Sequence, residues 1–166
     1  SALLNGWSQQ TVQQNVTFGA VGLTYCGGEI ARQHLLDEYN WIITGDEIYD
    51  PTTYTYNNGW SPSGDPTSIA VLCDNIIIAA GDVTLASNTN FDTLTVAPGA
   101  SLTVPAGVTI TSSGSITLES ISTNYSSLLL NGTINGTVHY KRFVNSYTDD
   151  ATNNDNDLVS APLTGE

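Results

Sequence analysis

The densest set of chemistry-bearing side chains is a run of four aspartates, Asp149, Asp150, Asp155 and Asp157, in a stretch rich in Asn and Thr. Hard carboxylate oxygens at close spacing in a pliable loop are what calcium requires. The run lacks the fixed Asp-x-Asp-x-Asp-Gly register of a helix-flanked calcium loop, so a calcium site and a solvated acidic loop both stand as readings. Asp46, Glu47 and Asp50 form a second, sparser group of the same kind. Cys26 and Cys73 are the only cysteines. An even number in a chain of exported character favours a disulfide. Closing a loop of about fifty residues, it would contribute roughly 3–4 kcal/mol by restricting the unfolded chain; two buried thiols are the alternative. Two cysteines and two distant histidines lack the ligand spacing of a zinc site. Tyr54, Tyr56 and Trp60 could stack their faces on carbohydrate rings, or could pack on a neighbouring strand and pin their own loop.

Catalysis has little to work with. A polysaccharide lyase needs a base and cations at its developing anion, and a hydrolase needs two carboxylates facing each other across a groove. Asp82, Asp92 and Glu119 are scattered among Thr and Ser. The adjacent cations Lys141 and Arg142 follow the last strand, one expected to pair with the acidic loop and the other to be exposed. His139 is expected on an outer strand face and His34 on a helix, each in a structural role. No nucleophile elbow, zinc helix or phosphate loop is present. The expectation is a protein without catalytic residues.

The elements that would carry these groups repeat. Between Asn75 and Phe143 a short apolar strand, a Gly turn and another strand recur four times: Ile76-Ile77-Ile78 with Val83-Thr84-Leu85, Leu94-Thr95-Val96 with Leu102-Thr103-Val104, Val108-Thr109-Ile110 with Ile116-Thr117-Leu118, and Leu128-Leu129-Leu130 with Val138-His139-Tyr140. Strict alternation places Leu94, Val96, Leu102, Val104, Val108, Ile110, Ile116 and Leu118 on one side and Thr95, Thr103, Thr109 and Thr117 on the other. Units that cannot bury their apolar side alone must stack. The predicted fold is all-β, a right-handed parallel β-helix or β-solenoid of about four short coils. One outward Thr per strand is expected, too sparse for the Thr-x-Thr rows of a water-ordering face.

Before the repeats, residues 1–53 read as a strand at Thr11–Phe18 followed by one short helix over Glu29–Tyr39, with Ile30, His34, Leu35 and Tyr39 at helical spacing and acidic Glu29 at the start. This segment is expected to cap the stack or serve assembly, since an uncovered sheet edge invites aggregation. Residues 54–74 read as an aromatic, Gly/Pro-rich connector with Asn58-Gly59 as a turn, 75–143 as the solenoid, and 144–166 as the acidic loop and a last strand, Leu158-Val159-Ser160-Ala161-Pro162-Leu163.

Composition sets the partners. Three Lys and Arg stand against sixteen Asp and Glu, a formal charge of −13, so phosphate backbones and anionic lipid are repelled. No apolar run approaches the length of a membrane span. The chain holds no Met and opens Ser1-Ala2-Leu3-Leu4-Asn5-Gly6, which reads as starting inside a gene product, any signal peptide having already been removed.

The order Asn58-Gly59-Trp60-Ser61-Pro62, Asp74-Asn75-Ile76-Ile77-Ile78-Ala79-Ala80-Gly81, Leu94-Thr95-Val96-Ala97-Pro98-Gly99, Tyr140-Lys141-Arg142-Phe143 and Leu158-Val159-Ser160-Ala161-Pro162-Leu163 resembles β-helical modules in large surface proteins of Bacteroidota, flavobacteria in particular. The resemblance covers about Tyr54 to Leu163. It implies export by type IX secretion and display outside the cell as an adhesin, stalk or polysaccharide-associated protein. It also implies that Asp92-Thr93-Leu94 is an O-glycosylation sequence with Thr93 as acceptor. The function expected is structural or adhesive: a stiff spacer, or a subunit that stacks on copies of itself or on neighbouring modules into a surface filament. Glycan binding is the second class and a polysaccharide-degrading enzyme the third.

Overall fold

Threonine alternating with Val, Leu and Ile suits a pleated strand with one apolar and one polar side. The computed structural model, which describes residues 2–144, is accordingly rich in short strands, accompanied by two helices. Its sheets are mixed and none of those described closes into a barrel. The chain divides into two units, Ser1–Pro51 and Thr52–Glu166.

The first unit runs α1 (Ala2–Ser8), β1 (Thr17–Gly19), β2 (Thr24–Tyr25), α2 (Glu29–Tyr39), β3 (Ile42–Thr44) and β4 (Glu47–Ile48). β1 lies parallel to β3, with Thr17 opposite Ile42, and β2 parallel to β4, with Thr24 opposite Glu47. Helix α2 has the expected bounds and stops where Asn40 turns left-handed (φ 52°). Its buried side, however, is Ala31 and Leu35, while Ile30 is 89% exposed. Ile30 and Leu35 stand more than a third of a turn apart around the axis, so they cannot share one face.

Helix α1 was not expected, because seven residues including Gly6 have little intrinsic helicity. Packing makes it: Leu4 is buried, and Trp7 meets Phe18 edge-on at 5.4 Å and Trp41 at 5.2 Å. The strand anticipated over Thr11–Phe18 shrinks to β1, since Asn15 adopts a left-handed backbone (φ 60°) that interrupts extension. At the β3–β4 turn only glycine fits: Gly45 has φ +80°, and an added Cβ would lie 2.6 Å from the Val21 side chain.

The second unit adds β5 (Thr53–Asn57), β6 (Trp60–Ser61), β7 (Asn75–Ala80), β8 (Asp82–Thr84), β9 (Thr89–Phe91), β10 (Thr93–Val96), β11 (Ser101–Val104), β12 (Thr109–Leu118), β13 (Ser120–Ile121), β14 (Asn124–Tyr125), β15 (Ser127–Leu130) and β16 (Thr133–Tyr140). Strands β5, β7, β10, β12 and β16 form one parallel ladder in that order, and β8, β11 and β15 a second. β9 also lies parallel on β12, with Thr89 opposite Ile110. Two pairs are antiparallel, β5 with β6 and β13 with β14.

Two expectations change here. Residues 54–74 are not simply a connector: Thr53–Asn57 is the first strand of the main ladder, and the Asn58-Gly59 turn folds β6 against it. The recurring lines also do not stack as written. Ile110 pairs with Thr89 and Ile134, whereas Leu94 pairs with Ile76 and Ile116. Each pass of the chain therefore contributes three strand segments, not two, and Val108–Ile110 belongs to the same pass as Leu94–Val104. Similar local text conceals this, because alternation sets which side is apolar but not which strand is the neighbour.

The register builds columns of inward side chains: Tyr54, Ile76, Leu94, Ile116, Val138; Tyr56, Ile78, Val96, Leu118, Tyr140; and Val83, Leu102, Leu128. With Leu85, Phe91, Val104 and Ile110, the members of these columns other than Tyr140 make the core or pack against it. The acidic run Asp149, Asp150, Asp155, Asp157 and the strand Leu158–Leu163 lie outside the described residues.

Candidate functional site

The outward face of the main ladder carries two aligned columns, Thr53, Asn75, Thr93, Ser115, Thr137 and Thr55, Ile77, Thr95, Thr117, His139. None of these ten is Asp, Glu, Lys or Arg, in a chain of net charge −13. The sequence suggested one outward Thr per strand; β5 and β10 each present two, and β12 a Ser and a Thr. Such hydroxyl-and-methyl rows suit a neutral, hydrated contact rather than an ionic one. Thr93 stands in the first column, half-buried, its hydroxyl donated to Asn75 Oδ1, and Leu94 beside it is wholly buried.

The proposed glycan-stacking trio does not form a platform. Tyr54 is in the core at 8% exposure, so its face is unavailable to a sugar ring, and Trp60 meets Tyr56 edge-on at 5.1 Å with both packed against the same core. The competing reading, aromatics stapled to the first strand, describes this arrangement.

The acidic loop expected to pair with one of the two adjacent cations lies outside the described residues; among those described, each cation has a neighbour. Lys141 pairs with Glu119 at 2.6 Å, and the Arg142 guanidinium lies over the Tyr125 ring, 5.1 Å from its centre. His139 is exposed on the outward face, and exposed His34 meets Tyr39 edge-on. In the first unit Arg32 grips Asp46 with both prongs, Nε to Oδ2 at 2.6 Å and Nη2 to Oδ1 at 2.8 Å, while Nη2 also donates to the Ile43 carbonyl. Asp46 is therefore committed to an ion pair and is not open to calcium with Glu47 and Asp50. Among the described residues, no three His, Cys, Asp or Glu side chains are grouped to hold a metal.

The Arg32 hydrogen bonds hold the Asp46 carboxyl below its ordinary pKa, outweighing desolvation, and the same bonds raise the guanidinium. A carboxyl whose pKa is lower folded than unfolded stabilises the fold above the unfolded value and loses that contribution as pH falls through the folded one. Asp46→Asn should therefore weaken the first unit by about 1–2 kcal/mol at neutral pH, between an exposed and a buried pair. The difference from wild type should shrink below about pH 4. Urea unfolding at neutral and acid pH, followed by tryptophan emission, checks this; a gap unchanged at acid pH would contradict it.

Two features escaped the sequence reading. Asp74 is fully buried, its carboxylate accepting from the Thr52 and Val71 amides at 2.8 and 2.9 Å. An acidic residue just ahead of an apolar run gave no hint of that. By contrast, the disulfide favoured for Cys26 and Cys73 was legible in the sequence, and both are disulfide-bonded.

The other missed feature is the end of the stack. Leu102, Val104, Ile110 and Ile116 are fully buried, but above them in the same columns Leu128, Ile134 and Val138 are half-exposed, Leu130 is 38% exposed and Tyr140 37%. Among the described strands, β15 and β16 have a neighbour on one side alone. Of the concavities elsewhere, one of about 430 Å³ is lined by Asn5, Ser8, Glu29 and His34. A shallow groove of about 520 Å³ is lined by Thr67, Ser87, Asn88, Val108 and small residues, with no titratable group. A cavity of about 90 Å³ beneath α1 is walled by Leu3, Leu4, Trp7, Phe18 and Tyr25, with the paired Asp46 at its margin.

No protein-family model matches the chain, and no curated protein or solved structure matches it. No helix among the described residues is long and apolar enough to cross a membrane.

Proposed function

We propose that this chain is a non-enzymatic structural and adhesive module of an exported bacterial cell-surface protein, a right-handed parallel β-helix of three-segment coils that acts as a stiff spacer. The observation that carries this reading is the parallel ladder of five strands backed by continuous apolar columns. Stacked passes that share backbone hydrogen bonds and one core resist bending and shear without any moving part. The charge-free outward face of that ladder supports a surface that makes neutral contacts outside the cell. The first unit, with its own core and helices, serves as an N-terminal cap or assembly element, and the surroundings are extracellular, where a disulfide persists.

Stacking of copies into a filament is the nearest variant, favoured by β15 and β16, which have a neighbour on one side alone among the described strands. Glycan binding loses support with Tyr54 in the core. Electron microscopy of the purified chain over a wide concentration range tests the proposal: separate short particles are expected of a spacer, and regular end-to-end fibres would replace it with the filament variant. Release of oligosaccharides from algal or plant polysaccharides by the purified chain would overturn the non-enzymatic assignment.

A further inference from the structure

Beneath α1 the first unit encloses a cavity of about 90 Å³ walled by Leu4, Trp7, Phe18, Tyr25 and Ile43. Protein interiors are packed as densely as organic crystals and leave few spaces larger than a water molecule, so a concavity of this size and lining calls for a purpose. Water suits its apolar walls poorly, because a buried water needs roughly two to four polar partners, whereas an apolar cavity takes up a small apolar solute. The cavity is reachable as well. Leu3 and Leu23 both line it and are each 56% exposed, so it opens at the surface between α1 and the residue ahead of β2.

We propose that this cavity is a binding site for a small single-ring aromatic molecule bearing a hydroxyl group, a simple phenol. The walls, the volume and the margin each narrow the class. Trp7, Phe18 and Tyr25 offer ring faces and edges, so an aromatic guest gains contacts of the kind Trp7 and Phe18 already make edge-on at 5.4 Å. The volume is several times below the roughly 300–1,000 Å³ of a pocket for a drug-sized ligand, which limits the guest to about one ring and excludes an acyl chain or an oligosaccharide. At the margin stands the one charged residue of the lining, Asp46, its side chain 6% exposed. Each of its oxygens accepts one hydrogen bond from Arg32. A carboxylate oxygen has two lone pairs, so Asp46 can accept one more bond from a neutral hydroxyl while keeping the guanidinium, which a cation seeking several carboxylate oxygens would have to displace. An unsubstituted ring satisfies the walls and leaves Asp46 unused. A ring carrying its own carboxylate meets Asp46 as a like charge in a poorly solvated place. The site lies wholly within the first unit and does not depend on the spacer reading.

Amide NMR titration of the full chain with phenol, toluene and benzoate is the test, in wild type and in Ala20→Leu. Ala20 lines the cavity at 3% exposure, and a leucine there would occupy the space from within. Phenol is expected to shift resonances of Phe18–Tyr25 and α1 saturably, with a dissociation constant of about 1 mM or tighter, while those of β7 and β10 stay in place. Toluene should bind several-fold more weakly and benzoate not at all. In Ala20→Leu the phenol response should weaken by about tenfold or more. The three ligands on wild type decide the matter even if that variant folds poorly. No saturable response to phenol up to about 10 mM, or a response outside the first unit, would overturn the site. Toluene or benzoate binding as tightly as phenol would overturn the assigned ligand class, and an undiminished response in folded Ala20→Leu would move the binding out of this cavity.

Discussion

Replacing Phe91 by alanine is expected to lower the unfolding free energy of the second unit by about 4 kcal/mol, whereas Leu129→Ala should change it by less than about 0.5. Phe91 is wholly buried on β9, where it joins the inward side chains of the stack, and it sits opposite Ser112 of β12. Truncation removes a ring's worth of buried apolar surface and leaves a hole among the core side chains that the surrounding strands fill only partly by relaxing. Leu129 lies between two core-facing leucines but points outward, in the column of Thr84 and Thr103, and is 58% exposed. Most of its surface is already in water, so little is lost. Urea unfolding of both variants measures the contrast. Comparable losses would mean that β15 is paired one residue out of the described register, which would turn Leu129 inward.

That contrast also marks where the sequence was readable. Leu102-Thr103-Val104 and Leu94-Thr95-Val96 disclose their buried side by alternation, and the outcome follows because a pleated strand has a period of two. Helix α2 could be placed from Gly27-Gly28-Glu29 and its apolar spacing. Phe91 gave no such signal: Thr89-Asn90-Phe91 is short and ends at an Asp, and its partner lies some twenty residues away on β12. Pairing between strands is a long-range property, and text as similar as Leu94-Thr95-Val96 and Val108-Thr109-Ile110 cannot say which segments share a ladder. The exposure of the last described strands was hidden for the same reason. Leu128 and Leu130 read like Leu102 and Val104; only their place at the end of the stack leaves them uncovered. Helix α1 depends on Trp7 meeting Phe18 and Trp41, contacts that no window of local sequence contains.

Asp74→Ala should destabilise the second unit by about 4 kcal/mol, and Asp74→Asn by about 2. The carboxylate is fully buried and accepts from the backbone amides of Thr52, at the entry to β5, and Val71, in the turn before β7. The main chain of the same residue donates to the Val71 carbonyl and accepts from the Asp92 amide at the entry to β10. One residue thus ties together the starts of three consecutive ladder strands. Alanine keeps the main-chain bonds but leaves two part-buried N–H donors without their acceptor, each costing roughly 1–3 kcal/mol. Asparagine keeps one oxygen acceptor and turns an NH2 group toward the second donor, which explains the intermediate loss. The expected order, Asp then Asn then Ala, should appear in urea midpoints. Amide exchange at Thr52 and Val71 should accelerate more than exchange in the middle of β10. If alanine instead cost less than about 1 kcal/mol, the staple would be dispensable, and a buried acid kept at a strand junction without structural need would become the first place to look for chemistry in this chain.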